Sequence, residues 1–249
     1  MALRSDSELV AEIEHLRGEL GRREREAAEK ERQLERYAAD LRETFKQERA
    51  RSLQLRRSYM ATVRALSNAV EARDAYTGKH AERVTAYGME IARALGVALS
   101  DTHEIEFGFL LHDIGKVAIP DAILYKPEAL TEKERALMAQ HPVIGAQILR
   151  GIDFLGAAAD VVRYHHERWD GGGYPDGLAG TEIPLAARVF AVADVLDALT
   201  TERPYRRAER LSTARETIVS EAGKQFDPQV IRAFKSIDDT TFERIGACI

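Results

Sequence analysis

Between Ile105 and Lys116 the chain reads IEFGFLLHDIGK. At helical spacing Ile105, Phe109, His112 and Lys116 share one face with Asp113 beside them, so an apolar stripe ends in an imidazole, a carboxylate and an ammonium. Burying the Asp113 carboxylate alone would cost several kcal/mol, roughly the stability margin of a whole domain. A metal ion would offset that cost, and so would a structural salt bridge. Other inward polar groups accompany the pair. His80 lies one turn before Val84 on the face of Tyr87, Ile91 and Leu95, and His141 precedes Pro142 on the face of Ile144 and Ile148. His165 and His166 end a helix that starts at Ala157, and Asp194 falls one turn after Phe190 in the run RVFAVADVLDAL. A single inward histidine is ordinarily a core residue; five of them with two inward aspartates are not.

His80, His112, Asp113, His141, His165, His166 and Asp194 offer too many ligands for one tetrahedral ion and about the right number for two ions that share a carboxylate and keep positions open for water. The only cysteine is Cys248, so no thiolate cluster competes. An imidazole-rich set suits Fe, Mn, Ni or Zn and is wrong for Ca or Mg. Two divalent ions, two carboxylates and a bridging hydroxide sum to about +1, which attracts a phosphodiester and keeps a nucleophile available at neutral pH. Lys116, one turn from His112, can add its charge to phosphoryl oxygens in the transition state. The chemistry implied is metal-assisted phosphoester hydrolysis.

Helices must position these groups. From Tyr59 onward the apolar spacing is helical throughout (Val63, Leu66, Val70; then Val84, Tyr87, Ile91, Leu95), with no alternating strand of useful length, so the fold class is all-α. Thr131 with Glu134 reads as a capping box, and Asp227-Pro228 as an N-cap followed by a first-turn proline. Residues 1–58 are different: 14 basic and 13 acidic side chains surround sparse Leu9, Ile13, Leu16, Leu20, Leu34 and Leu41, a heptad seam. A second phase, Phe45, Ser52, Leu55 and Tyr59, is offset by one residue, so the seam slips near Thr44. With no Gly or Pro between Gly21 and Gly78, this coiled-coil helix can run about 84 Å into the domain at 59–249. The coil predicts a homodimer.

Net charge is −5 in 249 residues, which argues against non-specific nucleic-acid or anionic-membrane binding. No apolar run is long enough to span a bilayer, and Arg4, Asp6 and Glu8 stand where a signal peptide needs apolar residues, so the expected location is the cytoplasm.

The stretch HHERWDGGGYPDGLAGTEIP at 165–184 resembles the signature of the HD-GYP phosphodiesterases, and HDIGK at 112–116, QHP at 140–142, VFAVADVLDALTTERPYR at 189–206 and GKQFDP at 223–228 extend the match over about Ala72 to Phe234. The resemblance implies an all-helical hydrolase of cyclic dinucleotides, chiefly cyclic di-GMP, with a two- or three-metal centre, Fe or Mn foremost. It makes the seven residues above the ligands, with Asp113 as the bridge. It also implies that Lys116 contacts phosphate, that Arg203 and Arg206 bind substrate, that Gly173 and Tyr174 belong to a loop beside it, and that Asp74 holds a metal-bound water. Three-metal relatives carry Glu four residues before the histidine matching His80; here that position is Tyr76, a poor ligand when neutral, so two metals are expected.

The resulting expectation is opening of cyclic di-GMP to linear pGpG, and on to GMP at a slower rate. Two alternatives stay open: a phosphodiesterase for cyclic GMP-AMP, and a silent cyclic-dinucleotide- or partner-binding protein whose coil carries a signal. Partners of a coil-bearing enzyme of this kind would be diguanylate cyclases or sensory and receiver modules.

Overall fold

The highly charged N-terminal sequence forms a single helix, α1 (Asp6–Glu71), of 66 residues, which passes through Gly18 and Gly21 without a break. The computed structural model describes residues 6–73, 79–97, 102–156, 158–202 and 207–249. Two compact units emerge, Met1–Tyr59 and Met60–Ile249. In the first, the seam residues Leu9, Leu16, Leu20, Leu34 and Leu41 are all 45–66% exposed, an apolar stripe that a lone helix cannot bury.

The second unit contains the end of α1 followed by α2 (His80–Ala94), α3 (Thr102–Leu110), α4 (Asp121–Leu124), α5 (Glu132–Met138), α6 (His141–Arg150), α7 (Ala158–Tyr164), α8 (Leu185–Thr200), α9 (Leu211–Ser220), α10 (Pro228–Lys235) and α11 (Asp239–Cys248). Three short 3-10 turns complete the regular structure. No strand occurs among the described residues, only isolated bridges, so the all-α expectation holds. The core packs α2 against α8, with Val84, Tyr87, Ile91, Phe109, Phe190 and Leu196 at its centre, and α9 to α11 close it with Ile218, Phe234 and Phe242. Both capping expectations hold. Thr131 and Glu134 form a reciprocal box, and the Asp227 carboxylate accepts from Gln229 N at 2.7 Å.

Three details correct the sequence reading. The helix through Ile105 and Phe109 stops at Leu110, and His112 and Asp113 lie in a turn that leads into the 3-10 segment Ile114–Ala118. Within that segment Gly115 packs so closely on the backbone at His141 and Gly145 that no side chain could fit there. His141 is inward as expected, but on the face of Pro142, Ala146 and Leu149; Ile148 is 41% exposed. Leu66 also points outward, and Ser67 takes the buried position, donating to Leu110 O at 2.8 Å.

Within this unit the end of α1 and the turn after it grip two segments that carry site residues. Glu71 Oε1 accepts from Ala81 N at 2.6 Å, capping the first turn of α2 next to His80. Arg73 donates to Val117 O at 2.9 Å and pairs with Asp121 at 2.6 Å, fastening the segment that holds Asp113 and Lys116.

Candidate metal centre

Four imidazoles are fixed by what their Nδ1 atoms meet. His112 Nδ1 lies 2.9 Å from Phe109 O, His141 Nδ1 2.8 Å from Met138 O, and His165 Nδ1 2.7 Å from Val162 O. A carbonyl oxygen can only accept, so each Nδ1 carries a proton, and in its neutral form each ring leaves a bare lone pair on Nε2. His80 reaches the same state differently, its Nδ1 lying 2.7 Å from Oδ2 of Asp197, which is 1% exposed.

Those bare atoms face other acceptors. His141 Nε2 is 3.2 Å from His165 Nε2, His80 Nε2 is 3.4 Å from Asp194 Oδ1, and His112 Nε2 is 3.1 Å from Asp113 Oδ2. The other oxygen of Asp113, Oδ1, is 3.3 Å from His141 Nε2, so one carboxylate spans two imidazoles. Lone pairs held this close repel unless a proton or a cation lies between them. Spacings of about 3.0–3.4 Å are also those of neighbouring ligands that share an ion about 2.1 Å away. The donor set fits a transition metal. His141, His165 and His166 form a group whose ligand atoms all lie within 4.8 Å of one another. The edge-to-face rings His80–His112 and His112–His165, each with centroids 5.4 Å apart, join it to the rest.

Electrostatics prepare these groups as ligands. Burial drives the His165 imidazole well below its ordinary value, and burial together with the nearby His141 takes His166 down to about 3, so both rings stay neutral donors near neutral pH. Burial alone would raise the Asp113 carboxyl, but a proton on His112, which the Asp113 charge itself favours, and the Lys116 ammonium hold it well below the usual range. Lys116 Nζ sits 2.8 Å from Asp113 Oδ2.

The loop after His166 is built around the backbone. A side chain at Gly173 would strike Arg168 N, Glu167 Cα and His166 O, so glycine is required here for packing against the loop's own chain. Tyr174, joined to Pro175 by a cis peptide, stacks on His166 with centroids 4.7 Å apart. Its phenol is pushed up to about 12 by burial and then by the Asp113 charge. Glu167, buried beside these groups, accepts from Asp176 N at 2.8 Å and Gly177 N at 3.0 Å and so anchors the loop. An open cavity lined by His165, His166, Arg168, Tyr174, Asp194 and Gln225 lies in front of the imidazoles.

The structure thus gathers His80, His112, Asp113, Lys116, His141, His165, His166, Tyr174 and Asp194 in one place. Asp74, Tyr76, Arg203 and Arg206 lie outside the described residues. Sequence reasoning missed Asp197 and Glu167. Asp197 carried a readable signal, since it follows Asp194 by one turn in the same apolar run and incurs the same burial cost.

A family model described as HD domain matches residues 64–230. The chain is 43% identical over 174 residues to a cyclic di-GMP phosphodiesterase response regulator, RpfG, of Xanthomonas campestris, covering 69% of this chain and 46% of that protein. It is 40% identical over 179 residues to 3'3'-cGAMP-specific phosphodiesterase 2 of Vibrio cholerae, covering 71% and 34%. The chain therefore spans less than half the length of either relative. A crystal structure of a cyclic GMP-AMP-specific phosphodiesterase from V. cholerae has a TM-score of 0.54 at 20% identity, over 74% of this chain and 53% of that one, a likeness of fold. With residues 64–230 matched and the HD and GYP motif residues set side by side, the chain belongs to the HD-domain family and to its HD-GYP branch.

Proposed function

We propose that this chain is a metal-dependent phosphodiesterase that opens cyclic di-GMP to linear pGpG, with two transition-metal ions, Fe or Mn foremost. The observation that carries the reading is the set of facing acceptors, His141 with His165, His80 with Asp194, and Asp113 reaching both His112 and His141, each pair 3.1–3.4 Å apart. His80, Asp194, His112, Asp113, His141, His165 and His166 would hold the ions, with Asp113 between them. When bound, such ions polarise phosphoryl oxygens and lower the pKa of water enough to supply a nucleophile at neutral pH.

The chain's own groups do the rest. Lys116, already drawn to Asp113, presents a positive charge where negative charge grows on the phosphate. Tyr174 keeps its proton because burial holds its phenol so high, and offers a hydrogen-bond donor at the cavity wall. Glu167 fixes the loop that sets Tyr174 against His166. Arg203 and Arg206 are assigned to substrate phosphate or guanine, and Asp74 to an attacking water, from motif position alone. A silent binding protein is the poorer reading, since a chain without catalysis has no use for this many buried donors.

Relatives named for cyclic di-GMP and for 3'3'-cGAMP match almost equally well, so the second substrate is kept as an alternative. The exposed seam of α1 supports a parallel homodimer, and no described helix is long and apolar enough to cross a membrane. The test is chromatography and mass analysis of products after Mn- or Fe-loaded protein meets each cyclic dinucleotide. Faster loss of cyclic di-GMP with accumulation of pGpG is expected; turnover of cyclic GMP-AMP alone moves the assignment to the second substrate, and turnover of neither under both metals overturns it.

A further inference from the structure

Of the four oriented imidazoles, three take a neutral carbonyl three residues back in the chain, while His80 takes a carboxylate 117 residues away. The exception has a local cause. His80 opens α2 directly behind Lys79, whose φ of 63° is left-handed, so the ring draws its partner from the facing helix α8. There Asp194 and Asp197, one turn apart, address the two nitrogens of the same ring: Asp197 Oδ2 at 2.7 Å from Nδ1, and Asp194 Oδ1 at 3.4 Å from Nε2. Asp197 is in turn held by a fork from Arg83, with Nε to Oδ1 at 2.6 Å and Nη2 to Oδ2 at 3.1 Å, and by the Thr201 hydroxyl at 3.3 Å.

From this geometry we infer that Asp197, steadied by Arg83, is a positioning residue that fixes the His80 tautomer and strengthens its Nε2 as a ligand, and that it governs one of the two ions selectively. A buried carboxylate on Nδ1–H pulls the shared proton and leaves Nε2 more basic than a carbonyl partner does. The other cluster, His141, His165 and His166, has no such charged support among the described residues. The two ions are therefore held by electronically unequal sets: Asp197 acts on the ion bound by His80 and Asp194, and the ion of the histidine cluster is indifferent to it. A plain structural ion pair between Arg83 and Asp197 would support folding and leave both ions alike.

The inference rests on the two-ion reading and has its own test. Metal-free full-length protein is titrated with Mn(II), followed by calorimetry and by electron paramagnetic resonance. Wild-type protein should bind two ions. Asp197→Asn, which keeps the size and an acceptor but removes the charge, should bind one ion as wild type does and the other about 10- to 100-fold more weakly. Asp197→Glu should recover part of the loss. In the metal-free protein, 15N spectra of the histidine rings should show Nδ1–H at His80 for wild type and a mixture of tautomers for Asp197→Ala. Should Asp197→Asn fail to fold, Arg83→Lys keeps the carboxylate but loosens it, and should weaken the same single ion. Wild-type protein that takes up no transition metal overturns the two-ion reading. Wild type that binds two ions while a folded Asp197 or Arg83 variant binds the same two with unchanged affinity overturns this inference alone.

Discussion

Replacing Gly115 by Ala tests whether backbone contact between the 3-10 turn and α6 sets the spacing of the candidate ligands. The added methyl would come within 2.7 Å of Gly145 N and 2.8 Å of the His141 carbonyl carbon, and nearer still to its oxygen. Ordinary contact begins near 3.4 Å, so the start of α6 must retreat by at least ~0.7 Å (3.4 − 2.7), and no rotamer can relieve a clash with backbone. That retreat stretches the 3.3 Å approach of His141 to Asp113 toward ~4 Å, beyond the roughly 3.0–3.4 Å between adjacent ligands of an ion about 2.1 Å away. Overpacking of this kind costs about 1–3 kcal/mol, which in a domain of this size lowers the melting midpoint by roughly 2–12 °C. A misplacement near 1 Å can cost about 10²-fold in rate. The assays are a thermal melt of metal-free protein, elemental analysis after Mn loading, and turnover. Gly151→Ala is the control: it also lies at α6, but its methyl meets nothing nearer than 3.8 Å and should leave all three unchanged. Gly115→Ala with an unaltered melt and full metal content would refute the claim that this contact fixes His141 against Asp113.

Other outcomes follow from the same structure. Lys116→Ala should retain metal yet lose about 10²-fold or more in rate, since it removes charge stabilisation and leaves the ligands in place; unchanged turnover would make Lys116 a structural partner of Asp113 only. Glu134 is held down at about 2 from 4.5 by Lys126 and by the backbone and hydroxyl of Thr131, so its contribution is complete above pH 4.5 and is lost as pH falls from 4.5 toward 2. Glu134→Gln should accordingly lower the melting midpoint at pH 7, with the gap to wild type closing across that window; a gap constant down to pH 2 contradicts the pairing. Deleting residues 1–58 should yield a monomer by light scattering, and a truncated dimer with unchanged turnover excludes both pairing and regulation by α1.

How far the sequence could be read depends on the range of the interaction involved. The inward polar groups that make up the candidate ligand set were legible because burial cost is a property of each residue in its own helix: an Asp or His inside an apolar run signals compensation whatever the tertiary fold. The caps at Thr131 and Asp227 were legible for the same reason, being closed within three residues. Where a distant segment decides, the reading failed. Helical spacing carried α3 on to Lys116, but the helix ends at Leu110 and the following turn packs Gly115 on His141, 26 positions later. The periodicity that put His141 with Ile144 and Ile148 chose the wrong face because Gly145 packs against Val162 and Gly115, a demand that hydrophobicity does not encode. The apolar run marked Asp197 as it marked Asp194, but only the fold shows that it meets His80 of α2.

One regularity joins these levels. Phe109, Met138 and Val162 each lie within the last four residues of their helices, α3, α5 and α7, where carbonyls have no partner further along the helix. In each case the imidazole three residues on supplies the missing donor through Nδ1. The helix end gains a satisfied acceptor, and the ring gains a fixed tautomer and a negative dipole end at its back, which favours a cation in front of it. The same residues therefore close helix ends and line the candidate centre, so exchanging one of them for another side chain would also leave a helix terminus unpaired. His80 stands at a helix start, where the exposed groups are N–H donors and no such carbonyl exists. That is the physical reason a carboxylate, Asp197, has to be brought to it from α8.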